Sequence, residues 1–196
     1  MLKRPALSRR ASRIVVSSLL CLGFWQFGQG AYIPAKAWVA QELMHRAWHK
    51  AEDGDQAPPP WPWADTHPVA RLSAKGGDIE LIVLEGGSGR TLAFGPGHLS
   101  ISVLPGENGN SIIAGHRDTH FLFLQYMRRG ETIQVELPDG RKHFYQVTEI
   151  DVVDSRRGSL VLDTDVPTLS LVTCYPFNAL EAGGPMRYVV SAQLIF

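Results

Sequence analysis

A cysteine, a histidine and an arginine each lie next to a short apolar run in the second half of this chain. His116 follows Ser111–Gly115, Cys174 ends the run Ser-Leu-Val-Thr-Cys, and Arg187 begins the run Arg-Tyr-Val-Val. Such runs are typical of strands, and strand ends present reactive side chains to a cleft. A thiolate can attack a carbonyl carbon, a histidine can carry the proton, and a guanidinium can stabilise the oxyanion. The three residues therefore predict a catalytic site for acyl transfer.

The cysteine content favours a catalytic role for Cys174. The chain has two cysteines, Cys174 and Cys21, and Cys21 lies within an apolar run near the start. Two cysteines placed in this way do not indicate a disulfide framework. If the main domain is exported, it carries one thiol into an oxidising compartment, where an unused thiol is a liability. On residue type alone, a small buried hydrophobic residue stays open as the alternative.

The segments that must position these residues have the pattern of β-strands from Val69 onward. Seven runs show β-branched enrichment or apolar–polar alternation: 78–86, 98–106, 111–115, 132–140, 144–153, 168–174 and 187–196. Turn signals rich in glycine and proline separate them, and Pro138-Asp139-Gly140 predicts a hairpin. A short helix is predicted at 119–129, with Gly130 ending it. About seven or eight short strands in one domain indicate a closed barrel or a sandwich.

The N-terminal part predicts a membrane anchor. Residues 14–33 contain no charged residue, and five basic residues precede them: Lys3, Arg4, Arg9, Arg10 and Arg13. About 20 uncharged residues can cross a hydrocarbon core, and the basic flank places the N-terminus in the cytoplasm. The anchor would then be a single pass through the inner membrane, with the rest of the chain in the periplasm. A cleaved signal peptide is the alternative, since residues 28–31 offer small side chains for cleavage.

A second helical segment and a linker are predicted between the anchor and the strands. Residues 35–52 lack glycine and proline and interleave Trp38, Leu43 and Trp48 with polar residues, which predicts an amphipathic helix near the membrane surface. Residues 53–63 include three consecutive prolines and predict a stiff, extended linker. The predicted parts are a basic cytoplasmic segment 1–13, a transmembrane anchor 14–33, a juxtamembrane helix and linker 34–62, and a catalytic domain 63–196.

Composition and motifs exclude several classes of function. Lysine plus arginine equals aspartate plus glutamate, at 19 each, so the chain lacks the basic excess of a nucleic-acid-binding protein. It has no P-loop, dinucleotide fingerprint or paired-cysteine zinc motif. His116 and His120 lie four residues apart, as do His45 and His49, but neither pair has a third metal ligand nearby. The sequence predicts no metal site and no nucleic-acid partner, and it predicts that His98 is a turn residue.

Longer segments around the candidate residues carry a resemblance to a known family. They are Pro68-Val-Ala-Arg-Leu72, Gly95-Pro-Gly-His98, Pro105-Gly-Glu-Asn-Gly-Asn110, Ala114-Gly-His-Arg-Asp-Thr119 and Ser170-Leu-Val-Thr-Cys174, followed by Arg187. Over about residues 63–196 the chain resembles the sortases, which are cysteine transpeptidases. It is most similar to their Gram-negative branch, called class GN or marine proteobacterial sortases. Ser170 departs from the threonine that begins this strand-end motif in many relatives.

The resemblance implies a fold and a reaction. The expected fold is mostly β: a closed eight-stranded sortase-type β-barrel with one or two short helices, preceded by the transmembrane helix, and no cofactor is expected. Cys174 would attack a threonine carbonyl in an LPxT-like sorting signal near the C-terminus of an exported protein. His116, as imidazolium, would protonate the departing amine, while Arg187 holds the substrate backbone and stabilises the oxyanion. A primary amine would then resolve the thioacyl enzyme.

Further residues beside the nucleophile and the histidine receive supporting roles. Thr173, Tyr175 and Phe177 are predicted to contact the substrate, although the two aromatic residues could equally serve packing. Asp118 and Thr119 would shape the loop that carries His116 and take no part in the chemistry.

Two other functions stay open at the level of the sequence. An extracytoplasmic acyltransferase of the L,D-transpeptidase type also uses histidine and cysteine in a β-rich domain. That type has a Gly-Cys-x-Arg arrangement, whereas Tyr-Pro-Phe follows Cys174 in this chain. The second alternative is a non-catalytic β-barrel binding module on a membrane stalk. Thiol reactivity of Cys174 would separate an enzyme from such a module, because a buried structural cysteine is inert.

Overall fold

The computed structural model describes residues 9–52, 57–158, 160–179 and 183–195. Parts of the predicted basic segment (1–8), linker (53–56) and catalytic domain (159, 180–182 and 196) lie outside the described residues. The helices are α1 Arg9–Glu52 and α2 Gly89–Leu92, with the 3₁₀ helices η1 Lys75–Gly77 and η2 Leu122–Tyr126. The strands are β1 Pro68–Ala74, β2 Ile79–Glu85, β3 Gly97–His98, β4 Asn110–Ala114, β5 Thr132–Glu136, β6 Lys142–Asp154, β7 Thr168–Cys174 and β8 Met186–Leu194.

The strands form a closed barrel in the order β1-β2-β3-β4-β7-β8-β6-β5. The pairs β2–β3 and β4–β7 are parallel, and the other neighbouring strands are antiparallel. In a barrel of eight strands the interior is just wide enough for side chains to fill it. The prediction of a mostly β fold with a closed eight-stranded barrel is confirmed.

Alternate side chains of the strands fill the barrel interior. In β1, Ala70, Leu72 and Ala74 are buried, and the residues between them are half-buried, which is the period-two pattern of a strand with one face in the core. Leu171 of β7 and Val190 of β8 are paired in the sheet and belong to the same buried cluster. This burial of apolar surface holds the strands of the barrel together.

Strand β2 is buried on both faces, because the last part of α1 covers its outer side. Val83 belongs to the barrel core, whereas Ile82 and Leu84 form a second cluster with Met44 and Trp48 of α1. A strand covered on both faces needs apolar residues at successive positions, which explains the nearly continuous apolar sequence of β2. The prediction that this part of α1 is helical is confirmed. Its buried residues Met44 and Trp48 pack on the barrel, and a position of the helix near the membrane surface stays a prediction.

A cluster of charged residues lies beside Trp48 and connects α1, β1 and β5. The guanidinium of Arg71 lies 5.6 Å from the centroid of the Trp48 ring and donates to the Glu136 carboxylate at 2.6 Å. Carboxylate oxygens of Glu52 and Glu80 lie 3.6 and 3.8 Å from the same guanidinium. Glu136 is buried, and a buried carboxylate requires a paired cation.

Two predicted elements differ from the structure. The run 98–106 predicts a strand, but β3 ends at His98, and a turn follows in which Ser102 Oγ donates to Leu99 O at 2.7 Å. The apolar alternation of this run does not reflect burial, since the side chain of Ile101 is exposed. His98 is itself a buried strand residue and not a turn residue, and its Nε2 lies 2.9 Å from Val103 O.

The helix predicted at 119–129 is a short 3₁₀ helix, η2, which ends at Tyr126. Phe123 and Leu124 of η2 are buried, whereas Leu122 and Tyr126 are exposed. The predicted hairpin is confirmed: it joins β5 to β6, Leu137 N donates to Arg141 O at 2.9 Å, and Gly140 has a φ of 82°. That positive φ is the reason why this turn requires glycine.

The chain divides into two compact units, Met1–Ala40 and Gln41–Phe196. The residues predicted as an anchor, 14–33, are helical, and several of their large apolar side chains are exposed: Val15, Val16, Leu19, Leu20, Leu22, Phe24 and Trp25. Even so, no helix in the described part of the chain is both long and apolar enough to span a bilayer. The predicted transmembrane helix is therefore not found among the described residues. The domain boundaries at 13, 33 and 62 stay predictions.

Replacing Trp48 with alanine is expected to destabilise the barrel unit. Trp48 is fully buried between α1 and β2, so its removal leaves a cavity, and such changes cost about 3–5 kcal/mol of unfolding free energy. Chemical denaturation of Trp48→Ala, followed by circular dichroism, measures this loss. Trp38→Ala is the matched control, because Trp38 lies in the same helix with 69% of its surface exposed. Equal losses of stability in the two variants would contradict the packing of α1 on β2.

Candidate active site

Cys174 is the last residue of β7, the strand between β4 and β8 in the barrel. Its side chain is half-buried, whereas three earlier residues of the strand are fully buried: Leu169, Ser170 and Leu171. After Cys174, Tyr175 N donates to Met186 O at 3.0 Å, and Pro176 then ends the strand because proline has no N–H to donate. The thiol therefore lies at the rim of the barrel on a firmly held strand.

Arg187 lies directly opposite Cys174 in the antiparallel β7–β8 pair. Residues that lie directly opposite each other project to the same face of a sheet, so the side chains of Arg187 and Cys174 leave the sheet side by side. The Nη1 of Arg187 donates to Gly184 O at 2.5 Å and to Met186 O at 2.9 Å. These bonds fix one nitrogen of the guanidinium, whose rigid fork carries further donors.

His116 reaches the same edge of the barrel through the parallel pairing of β4 with β7. That pairing runs without a shift to Ala114 opposite Val172, and Gly115 N donates to Val172 O at 3.0 Å beyond the last pair. His116 and Cys174 each lie two residues after that last pair. The structure thus brings the three predicted catalytic residues to one edge, on adjoining segments of β4, β7 and β8.

His116 begins a loop of residues 116–121, called here the His loop, which is held at both ends. Phe121 N donates to His116 O at 3.0 Å, and the Phe121 side chain is fully buried in the core. A Cβ at Gly115 would lie 2.8 Å from atoms of the Phe121 ring, so this position requires glycine. The imidazole of His116 is exposed, and it can exchange protons with substrate or solvent.

Thr173 connects the His loop to β7. Its hydroxyl donates to Gly115 O at 2.7 Å, and its side chain is buried. The bond fixes the strand end that carries Cys174 against the residue that precedes His116. The predicted contact between Thr173 and the substrate stays a prediction.

Tyr175 and Phe177 form an aromatic cluster with Tyr188 of β8. The rings of Tyr175 and Tyr188 are stacked, with centroids 6.1 Å apart, and Phe177 packs edge-on against Tyr188 at 5.1 Å. Phe177 also packs against the barrel core, whereas Tyr175 is exposed. Burial raises the pKa of Tyr188, and the neighbouring Tyr175 raises it further. Packing is therefore established for Phe177, and contact of either residue with the substrate stays a prediction.

Arg117 is a residue of the site that the sequence analysis did not single out. Only 6% of its surface is exposed, and its Nη1 and Nη2 donate to Pro176 O at 2.7 Å and to Ala179 O at 3.0 Å. Its Nε and Nη2 also donate to the two carboxylate oxygens of Asp118, at 2.8 and 3.1 Å. These hydrogen bonds from Arg117 hold the pKa of Asp118 below its usual range. The sequence signal that could have identified Arg117 is its position directly after the predicted catalytic histidine, in the triplet His116-Arg117-Asp118.

The second histidine of the His loop shows no sign of a metal site. Burial lowers the pKa of His120, and the neighbouring His116 lowers it further. Among the described residues, no three histidine, cysteine, aspartate or glutamate side chains are placed to hold a metal ion. In the other predicted pair, His49 Nδ1 lies 2.9 Å from a carboxylate oxygen of Glu52, and His45 is exposed.

Comparison with known proteins gives similar sequences and a similar fold. Residues 72–195 match the family model described as the sortase domain. Sortase D of Bacillus subtilis (strain 168) is 33% identical over 119 residues, which are 60% of this chain and 59% of that protein. The chain thus spans 59% of the length of the curated relative that it matches.

Solved structures of the same kind superimpose on the chain. The Sortase D5 transpeptidase of Clostridium perfringens is 27% identical with a TM-score of 0.57, and the match covers 66% of this chain and 80% of that one. A sortase C of Clostridium perfringens, solved with the C-terminal cell wall sorting motif, is 20% identical with a TM-score of 0.59, covering 83% and 90%. This second likeness shows the fold alone. Since the matched domain takes in well over half of the residues and their barrel has the expected topology, the chain belongs to the sortase family.

Proposed function

We propose that this chain is a cysteine transpeptidase that cleaves a C-terminal sorting signal of an exported protein and transfers the new carboxyl end to an amine. The observation that carries the proposal is the placement of Cys174 at the end of β7, between the His loop after β4 and Arg187 at the start of β8. A nucleophile, a proton carrier and a fixed cation are the groups that acyl transfer requires.

In the proposed first step, the Cys174 thiolate attacks the carbonyl carbon of the threonine at the cleavage site. The carbonyl oxygen becomes an oxyanion, which the further N–H donors of the Arg187 guanidinium stabilise. The C–N bond then breaks, and His116 gives its proton to the departing amine. The products are a thioester on Cys174, a neutral His116 and the released C-terminal fragment.

In the second step, a primary amine attacks the thioester carbon. Neutral His116 accepts the proton that the amine loses, Arg187 again stabilises the oxyanion, and the C–S bond breaks to regenerate the thiolate. The exposed imidazole suits both transfers, because the departing and the incoming amine must each reach it. Water in place of the amine would give hydrolysis.

The comparisons support this proposal and weaken its alternatives. A related structure was solved with a C-terminal cell wall sorting motif, which motivates the same class of partner for this chain. The match to the sortase domain, together with Tyr-Pro-Phe after Cys174, leaves the L,D-transpeptidase type without support. Membership in the Gram-negative branch, the LPxT-like form of the signal and the amine acceptor stay predictions.

We also propose that the N-terminal segment attaches the chain to the cytoplasmic membrane and that the catalytic unit acts outside it. Five basic residues precede the uncharged residues 14–33, and large apolar side chains on this part of α1 are exposed. Exposed apolar side chains of this kind favour association with lipid, and a basic flank favours the cytoplasmic side.

Replacing Cys174 or His116 with alanine is expected to abolish turnover. Without the thiol no thioester can form, and without the imidazole the amine must leave unprotonated, so Cys174→Ala should show no cleavage or transfer of a sorting peptide and His116→Ala almost none. Mass spectrometry of the peptide products measures both reactions. The melting temperature should stay within a few degrees of wild type, because both side chains lie at the rim. Substantial turnover by a folded Cys174→Ala variant would refute the proposal that this chain is a cysteine transpeptidase.

Replacing Arg187 with lysine is expected to remove most of the activity although the charge is kept. Lysine lacks the planar fork, and loss of one oxyanion donor typically costs about 10²–10³ in rate, or roughly 3–4 kcal/mol. The measurement is the rate of acyl-enzyme formation on Cys174, followed by mass spectrometry. Arg156→Lys is the control, because Arg156 lies after the neighbouring end of β6 and is exposed. Acylation of Arg187→Lys at the wild-type rate would contradict the oxyanion role. Arg187 would then be a structural residue that acts only through its bonds to Gly184 O and Met186 O.

Attachment to the cytoplasmic membrane, with the catalytic unit outside it, predicts how a fusion to a reporter protein behaves. A reporter that is active only outside the cytoplasm, joined after Phe196, should be active, and the full-length chain should sediment with membranes. Deleting residues 1–33 should abolish both results, because the basic and apolar targeting residues are then lost. A soluble mature form that begins near Ala31 would refute retained attachment, and an inactive reporter would refute the extracytoplasmic location.

A further inference from the structure

The side chain of Arg117 joins the two segments that carry the proposed nucleophile and proton carrier. It follows His116 in the chain, and its guanidinium is bonded to the carbonyls of Pro176 and Ala179, in the segment 175–179 that follows Cys174. One rigid group is therefore attached within two residues of both reactive side chains. Movement of either segment relative to the other would break these bonds.

The bonding of this guanidinium is specific to arginine. Transfer of a cation into the protein interior costs several kcal/mol unless hydrogen bonds and an opposite charge offset it. Arg117 makes bonds in three directions, to two carbonyls and to the Asp118 carboxylate, which it contacts through two nitrogens. A lysine ammonium is a compact group without a planar fork, so it cannot reproduce these bonds.

Arg117 also interacts electrostatically with Cys174. The hydrogen bonds with Asp118 raise the pKa of Arg117, and negative charge at Cys174 adds to this increase. The other charged or titratable groups at this edge are His116 and Asp118 of the His loop, Tyr175 after β7, and Arg187 and Tyr188 of β8.

We propose that Arg117 is a positioning residue of this site: it holds the segment 175–179, which follows Cys174, against the His loop, which carries His116. The proposal rests on the proposed function in that Cys174 is taken as the nucleophile. Arg117 itself need not contact the substrate, since its guanidinium is buried and bonded to the protein.

The kinetics of sorting-peptide cleavage in the full-length chain test whether Arg117 aligns the reactive side chains. Arg117→Gln should lower kcat by about 10²-fold, because misplacement of reacting groups by about 1 Å costs that much. KM should stay within about twofold of wild type, because Arg117 is buried and bonded to the protein and not to the substrate. Arg117→Lys should not restore kcat, because an ammonium cannot reproduce the bonds to Pro176 O and Ala179 O.

Arg141→Gln is the matched control for these measurements. Arg141 is also paired with an aspartate two residues away, at 2.6 Å, but it lies in the exposed β5–β6 hairpin. Its kcat and KM should equal those of wild type.

Amide hydrogen exchange tests the positioning role without any substrate. Exchange in 175–179 and in the His loop should be faster in Arg117→Gln than in wild type and unchanged in Arg141→Gln. If Arg117→Gln does not fold, Arg117→Lys carries the test: its exchange should rise in the same segments, because an ammonium cannot replace the bonds of the planar fork.

Unchanged exchange in the folded Arg117 variants would overturn the positioning role, and so would a wild-type kcat in Arg117→Gln. Hydrogen exchange does not depend on turnover. If exchange is faster as expected but the wild-type chain neither cleaves nor transfers a sorting peptide, the proposed function fails and the inference about Arg117 stands.

Discussion

Strand β7 is hydrogen-bonded in parallel to β4 on one side and antiparallel to β8 on the other, and neither pairing shifts register before the strand ends. Because the side-chain period of a strand is two residues, a slip of one residue would send Cys174 to the opposite face and bring Thr173 to the rim. The same slip would break the bond from the Thr173 hydroxyl to Gly115 O, which is buried. The chemistry of this chain therefore depends on the register of one strand.

Burial around β7 makes that register the stable one. Its central residues are buried, and the strand lies inside a closed barrel with a paired neighbour on each side. A slipped register would expose Leu169 and Leu171, at roughly 1.5–3 kcal/mol for each side chain. The barrel interior thus fixes the position of a thiol that is itself only half-buried.

The sequence indicates the barrel and the edge of the site well, because both follow from local rules. Apolar runs ending at Gly115 and Cys174 become β4 and β7, and the predicted hairpin at Gly140 joins β5 to β6. Strand β3 is not predictable in this way: its two residues pair with β2 and β4, so long-range contacts define it.

The packing of α1 and the role of Arg117 were also hidden for physical reasons. Trp48 lies on an amphipathic helix, and periodicity shows that such a face is apolar without showing what covers it. The buried guanidinium of Arg117 depends on carbonyls of Pro176 and Ala179, which are distant in the chain. Arginine is seldom fully buried, so residue type alone predicts that Arg117 lies on the surface.

The two arginines near Cys174 differ in a way that suits different tasks. Arg117 is buried and forms an ion pair with Asp118, so its position is fixed and its positive charge is partly neutralised. Arg187 is half-buried, and its Nη1 is bonded to carbonyls, which orient the guanidinium without neutralising it. An oxyanion exists only for the short time between attack and collapse, so the group that stabilises it must be oriented in advance yet keep free donors and full charge. Arg117, by contrast, is bonded within the protein to Asp118 and to two carbonyls, which suits holding two segments together. The positions of the two arginines relative to β7, one across the strand pair and one within the His loop, follow from the same register that places the cysteine.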